Sequence, residues 1–271
     1  WFFNSARIDF HDHPVSVKKS KLSLSGSQQF VITNCNGEVK IIAIGNDYIY
    51  NGDEKVMKGS GKLRNDLLYS IIDGFVYPGS RDSVVIFYDF QDTFSRHCWG
   101  YSIVDLTKDS GNGEVIKSNV IVRKRPNPTM AIVKHANNLD YWILGTADSF
   151  SAFAYHFSNK GLNPTPVLSS GVFNDYLLKN GSYDFVNSWA CQAPFVPTWN
   201  SKQIIVTGLT KWRHATACAL IYDFDNSTGK ITNSQELFKR SNLNKKTEYT
   251  TQKAAVAPND TFIYLGVVHP N

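Results

Sequence analysis

Four short stretches of the chain carry side chains that could take part in chemistry. His11-Asp12-His13 places two imidazoles two residues apart, on one side of an extended segment, which is part of a metal-ligand set. Residues 58–62, Lys-Gly-Ser-Gly-Lys, have the composition of a phosphate-binding loop, and residues 223–229 have the acidic spacing of a calcium loop. His97-Cys98 puts an imidazole base next to a thiol.

Each of these stretches lacks a component that its chemistry requires. The histidine pair has no third or fourth ligand nearby, so we interpret it as an exposed loop. Val56 and Leu63 stand where a phosphate loop needs Gly and Ser or Thr, and Thr228 stands where a calcium loop needs Gly. Neighbouring strand residues point to opposite faces, so the His-Cys pair cannot act together. We predict no catalytic, cofactor-binding or metal-ligating residue, no cofactor, and folding that needs no metal.

The elements that position these stretches form a repeat of about 60 residues. Polar turns at Pro78, Ala136, Pro197 and Pro258 lie 58, 61 and 61 residues apart. Each turn separates an apolar run from a second run rich in β-branched and aromatic residues, a pattern typical of a β-hairpin.

A second hairpin follows the first in three of the units, with turns at Gly113, Gly161 and Gly229. Two hairpins per period give a four-stranded sheet, which is the blade of a β-propeller. The sequence therefore predicts an all-β fold, a β-propeller built of four-stranded antiparallel blades. Trp142, Phe87, Tyr222 and Ile205 lie in the central runs, and we expect them to face blade cores.

The predicted domain covers residues 1–271, with an N-terminal strand segment at 1–27 that could close a ring and four to five blades at 28–271. The first blade should open on a hairpin at Asn36-Gly37, where a type I′ turn would need positive φ at both residues. The chain starts without Met, and its fifth unit stops after one hairpin. We expect an incomplete ring in a longer natural chain that continues past Asn271.

The composition excludes several classes of protein. A hydrophobic content of 42% and an aromatic content of 13% suit a folded β domain, and no apolar run reaches 18 residues. The net charge of +5 is dispersed, which argues against a nucleic-acid partner. Cys35, Cys98, Cys191 and Cys218 include no Cys-x-x-Cys pair, so zinc is disfavoured; we favour buried cysteines inside strands, and one disulfide remains open.

Several motifs together resemble a known family, the secreted β-propeller domain of large Bacteroidota surface proteins exported by the type IX secretion system, several of them linked to gliding motility. The most specific motifs are His-Ala-Asn at 135–137 with Asp-Tyr-Trp at 140–142, and Phe-Asp-Asn-Ser-Thr-Gly at 224–229. Others are Trp-Phe-Phe at 1–3 with Ile-Asp-Phe at 8–10, Asn-Gly at 36–37 with Val-Met at 56–57, and residues 101–105 with 111–115. Residues 25–28 and 43–45, and the turns near 197 and 258, depart from the family pattern, so the chain resembles a divergent member.

The resemblance implies export to the outside of the cell or to its surface, at the Gram-negative outer membrane, and a scaffold role without catalytic residues. The expected function is non-catalytic interaction with a surface or outer-membrane protein or with a glycan, connected with adhesion or gliding motility. Two alternatives stay open at this point. One is a propeller hydrolase or lyase that uses the central funnel, and the other is a structural subunit docked on an outer-membrane export or motility complex.

Overall fold

The structure is a computed structural model of the 271-residue chain. It describes residues 2–3, 6–9, 16–22, 29–44, 48–61, 72–91, 97–124, 130–146, 151–172, 195–210, 216–240 and 250–268. The chain divides into two compact units, Trp1–Arg125 and Pro126–Asn271. His11-Asp12-His13, Cys191 and Trp1 lie outside the described residues.

The described residues of the first unit form ten strands in three antiparallel sheets. They are β1 (Phe2–Phe3), β2 (Ala6–Asp9) and β3 (Ser16–Lys19); β4 (Gln29–Thr33), β5 (Val39–Ile44) and β6 (Ile49–Asn51); and β7 (Ile72–Val76), β8 (Ser83–Gln91), β9 (His97–Asp105) and β10 (Glu114–Lys124). A three-residue 3-10 segment, Asp109–Gly111, lies between β9 and β10.

In the second unit, the part of the chain that the structure describes also forms three antiparallel sheets. Their strands are β11 (Met130–Lys134), β12 (Tyr141–Thr146), β13 (Ala152–Ser158), β14 (Gly161–Leu162) and β15 (Val167–Ser169); β16 (Val196–Pro197), β17 (Gln203–Thr210), β18 (Thr216–Asp225) and β19 (Lys230–Arg240); and β20 (Thr250–Val256) and β21 (Ile263–Val268).

Sheet topology confirms the predicted fold class. Strands β7 to β10, β11 to β14 and β16 to β19 each follow one another in sequence order as a four-stranded antiparallel meander, the pattern of a propeller blade. In the second meander β15 adds a further pairing to β13. Strands and the one 3-10 segment account for all the regular structure of the described residues, and none of these residues forms a helix that could cross a membrane.

The four predicted turns lie between the first and second strands of successive sheets and share one hydrogen-bond pattern. In each turn the amide of the first residue donates a hydrogen bond to the carbonyl of the residue that begins or directly precedes the second strand, as from Thr198 to Gln203 at 3.0 Å. The amide three residues on donates back to the first carbonyl, as from Ser201 to Thr198 at 2.9 Å. Local side chains such as Asn137 then accept backbone N–H groups inside the turn, which is the chemistry predicted from the sequence.

Strands in the middle of the first unit are buried on both faces. The consecutive residues Val84, Val85, Ile86, Phe87 and Tyr88 are all at most 2% exposed, although their side chains alternate between faces. One face of the β7–β10 sheet packs against the β4–β6 sheet around Ile41 and Ile86. Gly74 permits this contact, because a Cβ there would lie 2.6 Å from the ring of Phe30.

In the second unit the β11–β15 and β16–β19 sheets share one core, in which Trp142 and Tyr222 are both buried. Phe87, Trp142, Ile205 and Tyr222 are at most 5% exposed, which confirms their predicted core positions.

Two expectations about the turn at residues 34–38 are wrong. Asn36-Gly37 does not form a type I′ turn, because only Gly37 has positive φ, +77°. The side-chain carbonyl of Asn34 accepts hydrogen bonds from the amides of Asn36 and Glu38, which selects a different turn. Cys35 lies exposed in this turn, whereas Cys98 is buried in β9 as expected.

The buried hydroxyl of Tyr88 ties β8 to a bulge in β10, and we predict a stability loss on its removal. It lies 2.6 Å from Ser102 Oγ, donates to Asn119 Oδ1 at 2.7 Å and accepts from Asn119 N at 3.1 Å. Burial raises the pKa of Tyr88 to about 12. Because Tyr88→Phe removes this hydroxyl from the buried Ser102 and the half-buried Asn119, we expect it to lower the free energy of unfolding by about 1–2 kcal/mol. Urea denaturation gives the measurement. Tyr264 is exposed, so the control variant Tyr264→Phe should show no loss of stability.

Candidate functional site

The first unit contains a polar cavity of about 360 Å³ that is open to solvent. Its walls are three chain reversals and the strand ends beside them. They are the turn between β4 and β5, the turn after β6 and the loop between β9 and β10, represented in the lining by residues 36–40, 51–53 and 111–112.

The first two walls are turns of one type, each built around an asparagine. The Asn34 amide donates to the Glu38 carbonyl at 2.9 Å, and the Asn34 side-chain oxygen accepts from the amides of residues 36 and 38. Asn51 repeats the arrangement: its amide donates to the Lys55 carbonyl at 2.9 Å, and its side-chain oxygen accepts from the amides of Asp53 and Lys55. The fourth residue of each turn, Gly37 or Glu54, has positive φ. These side-chain bonds fix the backbone that faces the cavity.

The third wall is a short left-handed turn. Asp109, Ser110 and Gly111 have φ of +50°, +56° and +86°, and the Gly111 amide donates to the Lys108 carbonyl at 3.0 Å. Left-handed backbone costs about 1–2 kcal/mol for each residue that has a Cβ. Such strain tends to collect at functional sites, where the surrounding structure holds it in place. A Cβ on Gly111 would meet no atom within 4 Å, so this residue faces open space.

Contacts on the far side of the left-handed turn hold it against the rest of the unit. A Cβ on Gly113 would lie 3.0 Å from the terminal methyl of Met57, and the Val115 amide donates to the Lys58 carbonyl at 2.8 Å. Lys58 Nζ also forms an ion pair with Glu114 at 3.1 Å. Two motifs that the resemblance singles out, at 36–37 and 111–115, therefore supply residues to the cavity lining, and Met57 of the motif at 56–57 packs against the second of them.

The charges in the cavity lining are neutralised locally. Lys40 Nζ lies 3.1 Å from Glu38 Oε2, and Lys55, just outside, lies 3.7 Å from Asp53 Oδ2. The hydrogen bond from Lys40, together with one from Asn34, holds the pKa of the Glu38 carboxyl below its usual range. Glu38 therefore stays ionised at neutral pH and has no proton to donate.

A second cluster of chemically capable residues lies in the second unit, around the His-Ala-Asn and Asp-Tyr-Trp motifs. His156 Nε2 lies 3.1 Å from Asp140 Oδ2, the arrangement of a base and its orienting carboxylate. The rings of His135, Trp142 and His156 lie with centroids 5.0–5.5 Å apart. Within the described part of the chain, the hydrogen-bond partner of the His156 ring is this carboxylate rather than a hydroxyl or thiol nucleophile.

The cluster joins two sheets of the second unit. Trp142 Nε1 donates to the Asn226 carbonyl at 2.8 Å, and the Ala136 amide donates to the same oxygen at 3.0 Å. A Cβ on Gly229 would lie 2.7 Å from the indole, so glycine is required for the contact. The two most specific motifs of the resemblance thus bind each other, and we assign them a packing role.

The acidic stretch at 223–229 ends β18 and forms the turn to β19. Asp225 accepts hydrogen bonds from Ser227 Oγ at 2.6 Å, from Thr228 Oγ1 at 2.7 Å and from the Ser227 amide. These bonds, led by those of the two hydroxyls, lower the pKa of Asp225 to about 2. The predicted capping by an Asp side chain is confirmed, and that metal is not needed for folding stays a prediction.

Residues 58–61 form a bridge and a turn: the Ser60 amide donates to the Met57 carbonyl at 3.0 Å. Sequence reasoning considered these residues and the acidic turn, but it missed the cavity. The asparagines at the start of its two matched turns are the signal that was available, since Asn favours such side-chain-capped turns.

No family model matches the chain, and no curated protein matches it either. Among solved structures it is similar to the β-propeller domain of Nup133 from Vanderwaltozyma polyspora, with 11% identity, a TM-score of 0.49, and 94% of this chain and 69% of that chain covered. It is also similar to the Dos1 propeller, with 10% identity, a TM-score of 0.38 and coverages of 92% and 66%. A glucose dehydrogenase matches with 6% identity, a TM-score of 0.37 and coverages of 86% and 90%.

Proposed function

We propose that the protein is a non-catalytic binding scaffold, and that it binds through the polar cavity of the first unit. The observation that carries the proposal is the construction of that cavity, where two asparagine-capped turns and a strained left-handed turn present polar groups on fixed backbone. A preorganised polar surface of this kind saves the ordering entropy that flexible loops would lose on binding.

Glu38, one of three ionisable residues in the cavity lining with Lys40 and Asp53, supports binding over acid–base catalysis. A general acid or base works best with a pKa near the operating pH. Glu38 is instead held as a carboxylate by Lys40 and Asn34. The negatively charged carboxylate of Glu38 is a strong acceptor of hydrogen bonds from a ligand.

The finer part of the proposal rests on the resemblance to secreted propeller domains. We propose that the protein is located outside the cell or on the surface of a Gram-negative outer membrane, as a type IX secretion cargo that serves adhesion or gliding motility. Its partner there is a surface or outer-membrane protein, or a glycan. Protease added to intact native cells should digest the protein, and complete protection in intact cells with digestion after lysis would contradict this location.

The binding role is tested by blocking the cavity. Asn112 is exposed at the cavity lining, so Asn112→Trp should fill the space without touching a core. Intact protein should bind the isolated cell-envelope fraction saturably, and Asn112→Trp should weaken that binding at least tenfold. Asn159→Trp, at an exposed turn of the second unit, is the matched control and should bind like the unmodified protein. Equal binding by all three proteins would show that the cavity is not the site.

A further inference from the structure

The charge balance of the cavity restricts its ligand. Glu38 and Lys40 neutralise each other at 3.1 Å, and the Asp53 carboxylate has the Lys55 ammonium 3.7 Å away. A site for phosphate, sulfate or a nucleotide needs an excess of positive charge or a cluster of converging N–H donors. The lining contains Glu38, Lys40 and Asp53, and Lys55 beside it balances the remaining negative charge. Because it has no excess of positive charge, it offers an anionic ligand no such advantage, and it favours a neutral one.

The polar groups of the cavity suit hydroxyl groups. Asn36 and Asn112 line it from two different turns, and each side-chain amide has both a carbonyl acceptor and NH₂ donors. A hydroxyl both donates and accepts, so an amide can satisfy it in either direction. The carboxylates of Glu38 and Asp53 add fixed acceptors for hydroxyl donors.

The size and polarity of the cavity argue against a protein partner that inserts a side chain into it. Protein partners gain most of their affinity from aromatic or aliphatic side chains seated in apolar pockets. Val39 supplies the one apolar side chain among the described residues that line this cavity. The volume of about 360 Å³ lies at the small end of the range of about 300–1,000 Å³ that small-ligand sites occupy.

Glycines allow close approach to the backbone. Gly37, Gly52 and Gly111 each line the cavity, one on each wall. Gly52 tolerates no side chain, because a Cβ there would overlap the Val39 carbonyl oxygen. Without side chains at these points, a ligand can approach the main-chain groups of the turns closely.

We infer that the cavity binds a neutral saccharide, held by hydrogen bonds to the asparagine amides, the carboxylates and the turn backbone. This inference rests on the proposed function, since it names the ligand class of the same site.

The test uses intact labelled protein on an array of defined oligosaccharides, half of them neutral and half carrying uronic acids or sulfate. We expect binding to neutral members, with at least tenfold weaker binding to the anionic ones. Asn112→Ala, which removes one amide, should weaken the neutral binding about three- to tenfold, since one hydrogen bond contributes about 0.5–1.5 kcal/mol. Asn112→Trp should abolish it, and Asn159→Ala should leave it unchanged. Thermal melting of each variant verifies that it is folded.

A second arm separates the inference from the proposed function. Periodate oxidatively cleaves the carbon–carbon bonds between saccharide carbons that carry adjacent hydroxyls. Treating the cell-envelope fraction with it should therefore remove the binding that Asn112→Trp also removes. If cavity-dependent binding survives periodate treatment of the fraction but not protease treatment, the ligand is a protein. That result would support the binding role and overturn the saccharide inference. Envelope binding insensitive to Asn112→Trp would overturn both. The saccharide inference would also be overturned if no neutral oligosaccharide on the array bound the protein, or if anionic oligosaccharides bound more tightly than neutral ones.

Discussion

Trp142→Ala is expected to lower the free energy of unfolding of the second unit by about 3–5 kcal/mol, the usual effect of truncating a buried Trp. The indole is 5% exposed, and it lies between the sheet of β12 and the turn at residues 226–229. Its removal leaves a cavity beside two histidine rings and takes a donor away from the Asn226 carbonyl. Urea denaturation followed by far-ultraviolet circular dichroism gives the measurement.

Two further variants give this prediction its controls. Trp199 is 66% exposed, and Trp199→Ala should cost no more than about 1.5 kcal/mol, the range of its one indole hydrogen bond to the Val256 carbonyl. Gly229→Ala should destabilise strongly in the native background, because its Cβ would meet the indole at 2.7 Å. In the Trp142→Ala background that cost should shrink to the backbone part that arises from φ of +77°, about 1 kcal/mol. The packing role would be contradicted if the stability losses of Trp142→Ala and Gly229→Ala simply added in the double variant. It would also be contradicted if Trp142→Ala and Trp199→Ala lost the same stability.

Asp73→Asn is expected to stabilise the protein at pH 7.5 by about 2–3 kcal/mol. Burial of the Asp73 carboxyl, in β7 opposite Phe87, raises its pKa from 3.8 to about 6, against the smaller opposing effect of the hydrogen bond from the Gly74 amide. At about 1.4 kcal/mol per pH unit, this rise corresponds to about 3 kcal/mol lost when the buried group ionises. Asparagine removes the charge and keeps an acceptor for the Gly74 amide.

The sign of the pH dependence distinguishes this cause from others. Because the folded pKa is the higher one, the folded state binds the extra proton, and the stability that Asp73 contributes is lost as pH rises from about 4 through 6. The advantage of Asp73→Asn should therefore vanish at pH 4. Asp225 has the opposite shift, so Asp225→Asn should lower the melting temperature at pH 7.5 and lose its effect as pH falls towards 2. A gain for Asp73→Asn that is the same at pH 4 and pH 7.5 would refute the buried-charge explanation.

The sequence predicts the sheets well because their signals are local. Turns near Pro78, Ala136, Pro197 and Pro258 follow from the polar residues at the turns themselves, and the flanking apolar runs are strands in the structure. The error at Asn36-Gly37 has a local cause as well. The dipeptide favours a type I′ turn, but two hydrogen bonds to the Asn34 side chain outweigh that preference.

The cavity could not be predicted, because it is made by residues far apart in the sequence. Asn36, Asp53 and Asn112 are brought together only when the turn after β6 packs on β5 and the left-handed turn is held by Met57 and Lys58. No periodicity in the sequence encodes those contacts. Left-handed backbone at Ser110 is also unexpected from residue type, since serine, unlike Asn or Asp, rarely adopts it.

Hydrogen–deuterium exchange of the intact protein, measured by mass spectrometry with and without saturating cell-envelope fraction, tests the binding role of the cavity most directly. Backbone amides at residues 34–40, 51–55 and 108–113 should exchange more slowly in the presence of the fraction, and the Asn112→Trp variant should show no such protection. The turn at residues 226–229, which we assign to packing, should exchange at the same rate in both conditions. Protection confined to the second unit, or no protection at the three turns, would contradict the account.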